Sequence, residues 1–139
     1  MNTALLTPFF TMLLLTLIVW TYMYARRIPF IRSLDLEPDQ LTPSVLDDLS
    51  PPAVSNPSDN LKNLFELPVI FYALVLYLEF AGLTDGLYLA AAWVFVLFRI
   101  LHSIVHCTIN VVMIRFGLYA VSSLALWFMA LRAFLQHLL

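Results

Sequence analysis

The chain has 139 residues, of which 62% are hydrophobic and 12% charged, and its net charge is −2 at neutral pH. Its mean hydropathy of +0.89 lies far outside the range of water-soluble globular domains. The weak negative charge offers no basic footprint for nucleic acid, and the single Cys107 excludes an intrachain disulfide framework. The composition is that of an integral membrane protein.

A helix that crosses a bilayer needs about 20 apolar residues. Four stretches meet that length: Leu5 to Tyr24, Leu61 to Ala81, Leu87 to Cys107 and Val111 to Leu135. They are too long for barrel strands and lack the two-residue alternation, so the predicted class is all-α, with four transmembrane helices. The first stretch has no basic residue ahead of it and carries Arg26 and Arg27 behind it, which reads as a retained span and not as a cleaved signal. Arg26, Arg27, Arg32, Lys62 and Arg115 fall on one side of this topology and Arg132 on the other, which predicts that the first side faces the cytoplasm. Trp20, Tyr22 and Tyr24 read as an interfacial aromatic belt, and Glu79 and Arg132 as snorkelling charges near the opposite surface.

From about residue 25 to residue 60 the chain turns polar, proline-rich and acidic, and it is expected to form a long cytoplasmic loop. Within it, Leu41 to Leu49 is predicted to form a short surface helix with Pro43 in its first turn. The connection around Gly82 to Gly86 is a tight turn, and the one near Thr108 to Ile114 is barely a loop. Short connections make the last three spans antiparallel neighbours in an up-and-down bundle. There is no internal repeat.

This topology gathers polar residues at one end. Arg99, His102 and His106 fall at i, i+3 and i+7 and share one face of the third span. Asn63 and Glu66 are expected to share a face of the second span one turn apart, and Arg115 and Tyr119 a face of the fourth. Charges within hydrocarbon cost at least a few kcal/mol each, so such residues are expected to be inward-facing, paired and functional. A purely structural reading stands beside that one: a buried Glu66 to Arg99 pair that holds helices together, with histidines as hydrogen-bond partners. His102 and His106 have metal-ligand spacing, but no cysteine or second carboxylate on that helix completes a set, so no metal is expected. Cys107 points away from His106 on a helix, which argues against a Cys-His nucleophile. A proton or ion pathway through Glu66, Arg99, His102 and His106 would have to cross the bilayer, and from Ala91 to Phe98 the third span is apolar.

The ordered set Asn63-Leu-Phe-Glu66 followed by Pro68, then Arg99-Ile-Leu-His102, then Arg115-Phe-Gly-Leu-Tyr119, resembles the membrane-associated proteins in eicosanoid and glutathione metabolism, the MAPEG family. The resemblance covers essentially the whole chain in order, length and membrane side. It implies a homotrimer of four-helix protomers, with glutathione bound as cosubstrate between subunits near the cytoplasmic face and a lipophilic substrate entering from membrane lipid. Carried over by residue, Asn63 and Glu66 would hold the glutathione backbone and amino group, with Arg99, His102 and His106 in the polar floor. Tyr119 would contact the ligand, and Arg115 would stabilise the thiolate. Arg27 matches an arginine near the thiol end. The implied activity is glutathione-dependent transfer to lipophilic electrophiles or reduction of lipid hydroperoxides. The alternative is a non-catalytic member that keeps the fold and binds a different small molecule or lipid.

The chain departs from the animal members of the family at three places. Asp59 stands where they carry an arginine that grips the glutathione carboxylates, with Lys62 nearby as a possible replacement cation. His106 stands where tyrosine is common, and Phe116 follows Arg115 in place of a small polar residue. With the acidic first loop, these features read as a bacterial branch in an inner membrane.

Overall fold

The computed structural model describes residues 4–138. Four of its helical segments are long and apolar enough to cross a membrane, and no strand occurs among the described residues. The first span, α1 (Leu6–Ser33), does not stop where its apolar run does. Its 28 residues would measure about 42 Å, against about 30 Å of hydrocarbon. The turns beyond Tyr24, with Arg26, Arg27 and Arg32, therefore extend past the membrane core as helix, with Pro29 inside them.

The expected loop over residues 25–60 is thus mostly helical, and this corrects the sequence reading. A short 3-10 turn (Pro38–Gln40) leads to α2 (Pro43–Leu49), where the Thr42 hydroxyl caps the helix by accepting from the Val45 amide. Helix α3 (Pro52–Leu64) then starts nine residues before the expected second span. Pro52 sits in its first turn, where the missing N–H costs nothing. The polar composition concealed this helix because it lies against the extension of α1 instead of lipid. Its Ser58 hydroxyl accepts from Arg27 Nη1 at 3.3 Å.

The second span is also broken, which the sequence reading did not foresee. α3 ends at Leu64 and α4 (Leu67–Ala81) begins after two intervening residues, Phe65 and Glu66, the latter at φ −99°, ψ −103°. Pro68 explains the break: it has no N–H for the Leu64 carbonyl, and its ring would collide with that carbonyl in a continuous helix. Asn63 and Glu66 therefore do not share a face.

At the far end, α4 closes on Gly82 at φ 69°, and the Leu83 amide reaches back to the Leu78 carbonyl at 3.0 Å. Helix α5 (Gly86–Cys107) is capped by Asp85, whose carboxylate accepts from the Leu87 and Tyr88 amides at 3.0 Å each. After a turn at Asn110, α6 (Val112–Leu138) runs back along α5. The core of this up-and-down bundle includes Met12, Phe71, Val75, Leu78, Tyr88, Phe95, Val96, Leu126 and Met129, with Phe71 and Phe95 stacked at 4.5 Å. Large apolar side chains such as Phe80, Leu124 and Phe134 remain exposed, as lipid-facing positions require.

The end bearing the 82–85 turn is clamped by polar contacts. Arg132 Nη1 donates to Asp85 at 2.8 Å, and its guanidinium lies 4.3 Å over the Tyr88 ring. The Tyr88 hydroxyl donates to Gln136 at 2.6 Å, and the Leu5 amide donates to Glu79 at 3.2 Å. Glu79 and Arg132 therefore have protein partners and do not simply snorkel.

The Arg132 guanidinium and the Tyr88 amide hold the Asp85 carboxyl well below the usual carboxylate range. The unfolded chain thus takes up this proton first as pH falls, so the contribution is full above about pH 4 and is lost below it. Asp85→Asn keeps a helix-capping side chain but removes the charge. The detergent-solubilised variant should melt lower than wild type at neutral pH, and the difference should shrink as the pH is lowered below about 4.

Candidate functional site

At the opposite end, the break between α3 and α4 sets the arrangement. With Pro68 interrupting the helix, the Asn63 carbonyl turns to a side chain: Arg99 Nη2, from α5, donates to it at 3.0 Å. Arg99 is fully buried, and its guanidinium carbon lies 5.7 Å from the centre of the Tyr119 ring of α6. One cation thus links α3, α5 and α6.

Polar contacts continue along the same faces. The Asn63 side-chain amide donates to His106 Nδ1 at 3.4 Å. Asn60, one turn earlier, accepts from the Ser103 hydroxyl at 3.3 Å and donates to Cys107 Sγ at 3.4 Å. His102 Nδ1 donates to the Arg115 backbone carbonyl at 3.0 Å, since a carbonyl oxygen can only accept. Asn60, Arg99, His102, Ser103 and His106 are all buried, in keeping with the single polar face expected for α5.

Asn63, His102, Arg115 and Tyr119 line one cleft of about 190 Å³, together with Val112 and Phe116. Within it the Arg115 guanidinium is held from behind, Nη1 donating to Asn110 Oδ1 at 2.6 Å. Asn110 in turn donates to Asn56 Oδ1 of α3 at 2.9 Å. Asn110 has φ +47°, a left-handed conformation that asparagine tolerates better than most residues. Three buried nitrogens on α5 lack protein partners: Arg99 Nε and Nη1, and His102 Nε2. Such donors and acceptors are costly in a low-dielectric interior unless a ligand or water meets them.

Three expected site residues lie elsewhere in the protomer. Glu66 is exposed at the α3–α4 break and forms no ion pair among the described residues, so the buried Glu66 to Arg99 pair is not present. The Asn63 carbonyl takes the place expected for that carboxylate. Arg27 lines a separate cavity of about 230 Å³ beside Asp47, Ser58 and Asp59, not the cleft of Arg115. Lys62 is exposed and pairs with Asp59 at 2.9 Å instead of standing free. His102 and His106 meet edge to face at 5.6 Å, and no group of three metal-ligating side chains occurs among the described residues.

Sequence reasoning missed Asn60, Ser103, Asn110 and Asn56. Asn60 precedes Asn63 by one turn and Ser103 follows Arg99 by one, so helical spacing could have found both. The Asn56 to Asn110 to Arg115 relay needs the fold, because the polar sequence of α3 does not mark it as a helix. Replacing Asn110 separates its two roles. Asn110→Gly keeps the left-handed turn but loses both bonds, Asn110→Ala loses the bonds and strains the turn, and Asn110→Asp keeps an acceptor for Arg115. Thermal unfolding should rank them Asp above Gly above Ala, with Ala about 2–4 kcal/mol below wild type from one charge-assisted bond and the backbone strain.

Residues 5–135 match the family model described as the MAPEG family. No curated protein and no solved structure matches the chain. A match over nearly the whole chain agrees with the four apolar helices and their short connections, and the chain belongs to the MAPEG family of multi-pass integral membrane proteins.

Proposed function

We propose that this protein is a membrane-bound glutathione-dependent transferase or peroxidase acting on lipophilic electrophiles or lipid hydroperoxides. The observation that carries the reading is the cleft in which Arg115 stands beside His102, Asn63 and Tyr119 at the polar end of a lipid-embedded bundle. A free thiol has a pKa near 8.5, so little of it is nucleophilic thiolate at neutral pH. A guanidinium beside the sulfur favours the anion and stays charged throughout, so Arg115 acts as thiolate stabiliser and not as base. Asn110 orients that guanidinium, which keeps the charge aimed without reorganisation during reaction.

The residues present fit part of glutathione. The Arg115 guanidinium is suited to an anionic group, and Asn63 and Tyr119 supply neutral polar contacts. A cleft of about 190 Å³ holds only part of the tripeptide. The remainder would lie against a second protomer, which also gives the exposed Glu66 a partner for the glutathione amino group and supports a homotrimeric assembly. In this reading the site end faces the cytoplasm of a bacterial inner membrane, consistent with Arg26, Arg27 and Arg32 in the extension of α1.

One observation favours the alternative of a fold-retaining member with another ligand. Lys62 is neutralised by Asp59, which removes the cation expected to replace the family's carboxylate-gripping arginine. Turnover discriminates the two. With glutathione and a generic aryl halide or a lipid hydroperoxide, Arg115→Ala should lower kcat/KM by about a hundredfold or more while the oligomer measured by light scattering stays intact. Equal and negligible turnover in both proteins would favour the non-catalytic reading.

A further inference from the structure

The thiol that Arg115 stabilises must lose a proton, and a guanidinium cannot take it. Of the cleft's six lining residues, Val112 and Phe116 carry no titratable group, the Asn63 amide is not basic and Arg115 is already a cation. The Tyr119 side chain is a hydroxyl that carries its own hydrogen and offers no basic nitrogen. His102 is the one lining side chain whose type exchanges protons near neutrality.

Its environment also fixes which nitrogen is available. Nδ1 carries hydrogen, because it donates to the Arg115 carbonyl at 3.0 Å. In the neutral ring Nε2 then holds a free lone pair, and that atom is buried with no protein partner. The residue is 3% exposed, so bulk water does not compete freely for the lone pair. The same bond ties the imidazole to the backbone of the residue whose guanidinium faces the cleft.

We propose that His102 Nε2 is the catalytic proton acceptor for the thiol bound in the Arg115 cleft. This rests on the glutathione reading above and assigns His102 a chemical role where the family resemblance gives it only a place in the polar floor. In the step, the S–H bond breaks with its electron pair staying on sulfur, and the Nε2 lone pair forms the new N–H bond. The imidazolium then returns that proton to the leaving group or carbanion that the thiolate attack produces, or to the alkoxide released from a hydroperoxide. The charged and titratable groups around it are Arg99 and His106 on α5, Arg115 and Tyr119 on α6, and Glu66 with the Asp59–Lys62 pair on the α3–α4 side. A second excess cation forms in this cluster at the moment the ligand gains its extra negative charge, so the transfer leaves the site's net charge unchanged.

The test uses the full-length protein in detergent and follows three readouts: thermal stabilisation by glutathione and by S-methylglutathione, the thiolate's ultraviolet absorbance, and proton release into weakly buffered solution. Wild type should be stabilised by both ligands and should show thiolate with far less than one proton released per thiolate formed. His102→Asn keeps an amide donor where Nδ1 stood and removes Nε2. It should still be stabilised by S-methylglutathione, and any thiolate it forms should appear with one proton released to solution. Its kcat/KM should fall by about a hundredfold and recover in part with added imidazole. If wild type and His102→Asn both release one proton per thiolate, the histidine assignment is overturned while the glutathione site stands. If neither ligand stabilises wild type, the glutathione reading itself falls and the proposal falls with it.

Discussion

An arginine placed about 12 Å from the end of a membrane helix must find acceptors inside the protein, because hydrocarbon supplies none. Arg99 finds one in the Asn63 carbonyl, and that carbonyl is free only because Pro68 prevents α3 and α4 from forming one helix. The break and the buried cation therefore depend on each other. A continuous second span would return the carbonyl to its own helix and leave a fully buried guanidinium without a backbone partner. The break also redirects the chain so that Asn60 and Asn63 face α5 while Glu66 faces outward.

The two ends of the bundle solve different problems. At the far end, Asp85, Arg132, Tyr88 and Gln136 satisfy one another and join the start of α5 to the end of α6. At the site end the polar groups are more deeply buried yet less completely paired, with Arg99 and His102 each retaining unpartnered nitrogens. A closed clamp at one end and an underpaired cluster at the other is the distribution expected when one end fixes the helices and the other receives a polar ligand. The relay from Asn56 through Asn110 to Arg115 anchors a cleft side chain to α3.

Much of the fold was legible because hydrophobic length is a direct consequence of bilayer thickness. Four apolar runs gave the four spans, and the i, i+3, i+7 spacing of Arg99, His102 and His106 gave the buried polar face of α5. Their failures have one cause. Apolar length marks where a helix crosses lipid, not where it stops, so the aqueous end of α1 and the polar helix α3 look like loop in the sequence. Pro68 is plain in the sequence, but whether a proline merely begins a helix or divides one depends on what precedes it, and the polar composition of α3 hides that helix. The expected Glu66 to Arg99 pair failed for the same reason: opposite charges at matching depth attract only if both face inward. The cleft residues Asn63, His102, Arg115 and Tyr119 were found because each lies near the end of a span that the topology brings to the same side.

The central claim is that the Arg115 cleft is a glutathione site and not only a packing device. A ligand that binds the folded state alone raises stability by RT ln(1 + [L]/Kd), so thermal unfolding in detergent over a glutathione titration into the millimolar range tests it directly. The account predicts a concentration-dependent rise in Tm for wild type that Arg115→Ala loses, each protein being compared with its own ligand-free Tm because the variant also lacks the bond to Asn110. A flat titration for wild type, or an equal rise in both proteins, would contradict it.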